Sequence, residues 1–126
     1  MERIAFLLAG ANGLLAVALG AFGAHGLQRV LVEDAEKRLQ WWQTASHYHL
    51  VHALALGLAG YLIARSSGSA ATVAVWAFSA GITLFSGSLY VMTLTGIRAL
   101  GAITPIGGLG LLVGWGAVIV AAWRMP

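Results

Sequence analysis

Long apolar runs separated by short polar stretches make up most of this chain. Four of them lie at about 4–22, 41–64, 70–94 and 105–123. Each is close to the roughly 20 residues that a helix needs to cross the hydrocarbon of a bilayer. The first run exceeds the apolar part of a signal peptide, which is about 7 to 15 residues, and is interpreted as a retained span. The pattern predicts an all-α protein, a bundle of four transmembrane helices that forms a single domain over residues 1–126.

The only charge-rich stretch, residues 27–40, lies between the first and second runs. Its leucines recur at helical spacing, and it contains two acid–base pairs four residues apart. These pairs are Glu33 with Lys37 and Asp34 with Arg38, a spacing that stabilises a solvated helix. The stretch is therefore predicted to present a solvated face with stabilising ion pairs outside the hydrocarbon.

No glycine or proline separates this stretch from the second apolar run. One continuous helix is therefore expected from about Glu33 to Ala64. At 1.5 Å per residue its length is about 48 Å, which exceeds the ~30 Å of hydrocarbon. The second helix should protrude from the membrane, with Trp41 and Trp42 at the interface.

The composition supports a membrane location. Hydrophobic residues form 60% of the chain and charged residues 9%, whereas soluble domains carry about 25% charged residues. The seven basic residues are dispersed along the chain, mostly at the ends of apolar runs, and only Lys37 and Arg38 are adjacent. This is typical of membrane anchors and gives no footprint for nucleic acid. We therefore predict a multi-pass protein of the cell (inner) membrane, whose neighbours are membrane lipids and not nucleic acid.

The side of the membrane that each end faces is not set by charge. Four spans place both termini on one side, side A, and the connections at 23–40 and 96–103 on side B. The basic residues of side A are Arg3, Arg65 and Arg124, and those of side B are Arg29, Lys37, Arg38 and Arg98. Orientation follows a clear excess of such residues, which is absent here.

Most polar side chains within the spans fall in the half nearer side B. Asn12, Thr72 and Ser79 are the main exceptions. Polar groups in hydrocarbon are costly and usually point into a bundle, which predicts a shared polar pocket. The residues assigned to this pocket are His25, Gln43, His52, Ser86, Tyr90, Arg98 and Thr104.

Three interpretations of this pocket remain open. It is an interhelical hydrogen-bond network, or a proton or solute pathway, or a site for an anion or lipid headgroup. The last would use Arg98 and the start of the fourth span, TPIGG, where Thr104 caps the helix and Pro105 follows. The leading hypothesis is non-enzymatic binding or transport of a small polar or anionic species or a lipid headgroup. The alternative is a structural or accessory subunit.

A histidine metal site is a further interpretation of the polar residues, and it gives the third hypothesis for the function. His49 and His52 are three residues apart and are expected to share a face, while His47 points away from His49. A site would therefore need His25 with His49 and His52, or His25 with His47, and the first set gives the candidate ligands His25, His49 and His52. No carboxylate lies within the spans to complete a common zinc or di-iron set. The chain has no cysteine, and no nucleophile, base and acid can be assembled, so neither a cofactor nor an enzyme activity is predicted.

Small residues form stripes in two of the spans. The fourth contains Gly107, Gly110, Gly114, Ala117 and Ala121, and the first contains Gly13, Ala16, Gly20 and Ala24. Such stripes let helices approach closely. We expect most of this packing to lie within the chain. Spare small faces also predict a homo-oligomer.

Four motifs resemble one family when they are taken together in chain order. GAFGAHGL, WQTASHYHLVHALAL, LFSGSLY and GAITPIGG are similar to the YgdD-like family of small four-helix membrane proteins, a domain of unknown function. The resemblance covers essentially the whole chain. The family pattern falls on Gly23, Ala24, His25, Gly26, Gln43, Thr44, His52, Ala53, residues 85–90 and residues 104–108. It omits His47 and His49, and therefore favours His25 and His52. It implies a fold and a membrane location but no activity.

Overall fold

The computed structural model describes residues 1–126, which form four long helices and no strand. The helices are α1 Glu2–His25, α2 Ala35–Arg65, α3 Ala70–Thr95 and α4 Thr104–Trp123. Short 3₁₀ turns at Leu27–Arg29 and Arg98–Ala102 lie in the connections on side B. All four helices are long and apolar enough to cross a membrane. The predicted all-α, four-span fold is confirmed.

The second helix is the longest of the four. It has 31 residues, which corresponds to about 46 Å and exceeds the ~30 Å of hydrocarbon. It begins at Ala35 and not at Glu33, because Asp34 has a φ of 50° in the left-handed region. A residue in that conformation cannot continue a right-handed helix. Otherwise the helix is continuous, as predicted.

The acid–base pairs predicted at the start of α2 do not form. Arg38 instead donates from Nε to the Thr93 carbonyl (2.7 Å) and from Nη2 to the Leu94 carbonyl (3.1 Å). These carbonyls lie in the last turn of α3, where a cation is favoured by unpaired backbone oxygens and the helix dipole. Asp34 pairs with Arg98 at 3.1 Å, on the exposed surface of side B. The charges of this stretch therefore join elements that are distant in sequence.

The helices pack in chain order, α1 on α2, α2 on α3 and α3 on α4. The main apolar core is formed mostly by α2, α3 and α4, with Leu56, Val75, Phe78 and Leu111, and Ala5 of α1 is also buried in it. Much of α1 and α4 exposes large apolar side chains. In a membrane these surfaces face lipid.

The small residues of α4 are used for packing against α3, as expected. A side chain at Gly107 would meet the backbone of Leu84 and Phe85, and one at Gly114 would meet the Phe78 ring. By contrast, the Cβ positions of Gly13 and Gly20 on α1 have nothing within 4 Å. The α4 stripe therefore brings α4 close to α3, while part of the α1 stripe stays open.

Trp42 is buried in the protein and does not mark the interface, so that prediction is wrong. Its side chain is 2% exposed, and its Nε1 donates to the Leu19 carbonyl at 2.8 Å. Gly23, which has no side chain, makes room for the indole on α1. Trp41 is only half-buried, and the Arg98 guanidinium lies 5.9 Å from its ring centre.

Candidate functional site

His49 lies near the middle of α2 and connects three helices. It is 4% exposed. Its Nε2 lies 3.0 Å from the Asn12 Oδ1 of α1, and its Nδ1 lies 3.0 Å from the Tyr90 hydroxyl of α3. The Asn12 Nδ2 donates to the Leu8 carbonyl (2.8 Å), which leaves Oδ1 as the acceptor. In this network His49 carries its hydrogen on Nε2 and accepts a hydrogen bond from Tyr90.

His52 lies one turn further along α2 and faces α3 and α4. Its Nδ1 donates to the Tyr48 carbonyl at 2.7 Å, and its Nε2 accepts the Trp115 Nε1–H at 3.1 Å. An indole nitrogen can only donate, so His52 is neutral, with its hydrogen on Nδ1. This is the side-chain hydrogen bond that joins α2 to α4.

The predicted metal ligands are not brought together. A step of three residues turns the direction of a side chain by about 60° around a helix. That turn is enough to place His49 toward α1 and α3, and His52 toward α4. His25 is exposed at the end of α1, and no group of three or more His, Asp or Glu residues is placed to hold a metal ion. His49 and His52 are neighbours on the surface of α2, as expected, but they bond to different helices and do not point at a common ion.

The other residues assigned to the pocket are spread over separate contacts. The Ser86 hydroxyl donates to the Ala45 carbonyl at 2.7 Å, and this bond joins α3 to α2. The Thr104 and Ser88 hydroxyls lie 2.6 Å apart and join α4 to α3. Gln43 is exposed. One shared pocket that contains all of these residues is therefore absent from the fold.

The hydroxyl side chains that follow helical spacing along α3 do not form a continuous polar path. They belong to Ser79, Thr83, Ser86, Tyr90 and Thr93. Ser79 donates to the Val75 carbonyl (2.8 Å) and Thr83 to the Ser79 carbonyl (2.9 Å), both one turn back on the same helix. Such back-bonding satisfies a hydroxyl without any partner helix.

The start of α4 differs from the predicted anion site. Pro105 is in the first turn, but the Thr104 side chain makes no cap and bonds to Ser88 instead. The backbone N–H groups of Ile106 and Gly107 both donate to the Ile103 carbonyl. Few free donors are left for an anion at this end of the helix.

Asn12 belongs to the polar network but was excluded from the predicted pocket by its depth in the first span. It is the only amide side chain in that apolar run, and that signal alone could have identified it. Asn12, His49, Ser86 and Tyr90 line a cleft of about 200 Å³ between α1 and α3. Because these side chains already bond to one another or to the backbone, the cleft offers a ligand few free polar atoms.

A larger opening, which we call the α2–α4 groove, lies between α2, α3 and α4 and has a volume of about 430 Å³. Its walls are apolar and aromatic, without a charged side chain. The lining residues are Tyr48, Val51, His52, Phe85, Pro105, Gly108, Leu109, Leu111, Leu112 and Trp115. This groove combines segments that are distant in sequence, so no local motif predicts it.

The fold and the apolar surface define a multi-pass integral membrane protein of four helices. The family described as "Protein of unknown function (DUF423)" matches residues 19–108, and the chain belongs to it. It is similar to the UPF0382 membrane protein YwdK of Bacillus subtilis, with 46% identity over 95% of this chain and 96% of the relative. It is also similar to the UPF0382 membrane protein SAB0533 of Staphylococcus aureus, with 42% identity over 94% and 95% of the two chains. No solved structure matches the chain.

Proposed function

We propose that this protein is a non-enzymatic binding protein of the cell (inner) membrane, which holds an amphipathic molecule from the lipid phase in the α2–α4 groove. The observation that carries the proposal is the groove itself, an aromatic-walled opening with a few hydrogen-bonding side chains. Small-molecule sites typically have this composition and volumes of about 300–1,000 Å³. The relation to the YgdD-like family stays a prediction.

The exposure of the groove favours a ligand that arrives from lipid. The side chains of Leu109 and Leu112 are among the most exposed of those that line the groove, and they lie on the outer face of α4. A water-soluble molecule would have to cross hydrocarbon to reach them. Binding is favoured over transport because the buried polar side chains bond within the protein and leave no open polar route.

A structural or accessory role is the second candidate. No buried side-chain nitrogen or oxygen lacks a hydrogen-bond partner. This complete pairing is what a network that only holds helices together requires. The two roles differ in whether the groove has an occupant of its own.

Photo-crosslinking at one groove position and one matched position tests the proposed function. Leu112 in the groove is 68% exposed, and Ile119, on the same helix outside the groove, is 69% exposed. Because the chain has no cysteine, Leu112→Cys and Ile119→Cys can each carry one benzophenone maleimide. After irradiation in native membranes, we expect a discrete adduct by mass spectrometry at residue 112 and only bulk phospholipid at residue 119.

A groove-filling variant provides the control for that experiment. A Cβ at Gly108 would meet only the Phe85 ring, at 3.7 Å and beyond, so the backbone tolerates a side chain there. Gly108→Leu should fill part of the groove and remove the discrete adduct at residue 112 while the helix content is retained. Identical phospholipid adducts at residues 112 and 119 would contradict the binding function and leave the structural role.

Self-association remains a prediction, and the open small residues of α1 are the surface that we propose for it. The α4 stripe is already covered by α3, whereas Gly13 and Gly20 are open. We expect Gly20→Leu to lower the protein mass measured by light scattering in mild detergent to that of one chain. Ala18→Leu, an exposed position on the same helix, should leave the mass unchanged. A wild-type protein that is already monomeric would contradict the prediction.

A further inference from the structure

We propose that the occupant of the α2–α4 groove is an uncharged amphiphile whose planar ring headgroup accepts a hydrogen bond from Tyr48. A quinone on an apolar tail has this chemistry. The inference rests on the proposed function and specifies the class of ligand.

The absence of charge in the groove excludes an anionic headgroup. None of its lining residues is charged. Of the four basic residues of side B, Arg38 is engaged with the end of α3 and Arg98 with Asp34, and neither Arg29 nor Lys37 lines the groove. A phosphate or carboxylate in the groove would lose water without gaining a cation, which is costly in hydrocarbon.

The hydrogen-bonding groups of the groove leave one side chain free. Both nitrogens of His52 and the single N–H of Trp115 are committed to each other or to the backbone. The Tyr48 hydroxyl makes no hydrogen bond within the chain, since Tyr48 enters the side-chain bonds only through its backbone carbonyl, and its side chain is 41% exposed. A hydroxyl without an acceptor is unfavourable in lipid. A ligand carbonyl would satisfy it.

The walls of the groove suit a flat ring. The rings of Tyr48 and Phe85 lie 4.5 Å apart between centres, and the imidazole of His52 stacks on Tyr48 at 5.8 Å and 14°. Gly108 leaves the facing surface of α4 without a side chain next to Phe85. Aromatic rings attract one another in offset and edge-to-face arrangements, so a planar headgroup gains contacts that a flexible chain does not.

The depth of the groove also favours an uncharged ligand with a planar ring. The groove extends along α4 from Pro105, in the first turn, to Trp115, near the middle of the helix. This distance is about 15 Å at 1.5 Å per residue. A headgroup that occupies it must enter the hydrocarbon, which an uncharged ring can do and a phosphate headgroup cannot without large cost.

Saturation binding of tritiated decylubiquinone tests the inference. The protein is placed in phosphatidylcholine nanodiscs, and empty nanodiscs are subtracted. We expect saturable binding of one molecule per chain, which Gly108→Leu abolishes. Tyr48→Phe should raise the Kd about three- to tenfold, the effect of one lost hydrogen bond. Tyr61→Phe is the matched control, because Tyr61 is also on α2, is 46% exposed and lies outside the groove. Its Kd should not change.

Competition against decylubiquinone distinguishes the ways in which the inference can fail. Decylbenzene, which has a ring and a tail but no acceptor, should compete weakly with decylubiquinone. Equal competition, or a Tyr48→Phe variant with unchanged Kd, would overturn the role of Tyr48. If phosphatidylglycerol saturates the groove and decylubiquinone does not, the uncharged class is wrong. A discrete adduct at residue 112 without quinone binding overturns the ligand class alone, whereas loss of both overturns the binding function as well.

Discussion

Replacing Gly107 with alanine is expected to lower the free energy of unfolding by about 3 kcal/mol, the upper range for overpacking. The added Cβ would overlap the backbone of Leu84 and Phe85 on α3. A side chain could rotate away from such a contact, but backbone atoms cannot. The whole of α4 must therefore move outward from α3, which weakens contacts along their interface.

Gly116→Ala is the matched control, because it adds the same methyl group to the same helix where nothing lies within 4 Å. Its effect should stay within about 0.5 kcal/mol. Both variants can be compared by titration with sodium dodecyl sulfate in mixed micelles, followed by circular dichroism. If Gly107→Ala unfolds at the same detergent fraction as Gly116→Ala, the backbones of α3 and α4 do not approach as closely as described.

Replacing His49 with alanine is expected to lower the free energy of unfolding by about 2–3 kcal/mol. The change removes the bonds to Asn12 of α1 and to Tyr90 of α3. Side-chain hydrogen bonds within membranes are worth about 0.6 to 1.7 kcal/mol each. The lost packing of a side chain that is 4% exposed adds to this.

His47→Ala is the control for this prediction, since His47 is exposed two residues away on the same helix. It should unfold like the wild type in the same titration. If the two variants lose the same free energy of unfolding, the network around His49 does not hold α1 and α3 to α2. A His49→Ala protein that is less stable but keeps the groove adduct would assign His49 to structure and leave binding to the groove.

The number and the approximate position of the helices are predictable from sequence because hydrocarbon thickness sets their length. The burial of Trp42 is not, since a tryptophan at the end of an apolar run is equally typical of an interfacial anchor. Only the position of Gly23 on the neighbouring helix makes room for the indole. Likewise, an acid four residues from Arg38 predicts a local pair, but the last carbonyls of α3 are the stronger partners in the fold.

The chemistry of the site is less predictable because it depends on the angle at which helices meet. His49 and His52 are neighbours on the surface of α2, yet His49 bonds to α1 and His52 bonds to α4. Asn12 was recognisable as an isolated amide, but its partner was not. The groove joins residues 48–52, 85 and 105–115, and no spacing in the sequence connects these segments.

Each helix packs chiefly on its neighbours in the chain, so during synthesis each later helix enters the membrane after its main partner. Asn12 enters the bilayer first and has no imidazole to bond until α2 follows. α3 then finds α2 already in place, and α4 finds α3. The protein can therefore assemble one helix at a time from its N-terminal end, without separating helices that have already met.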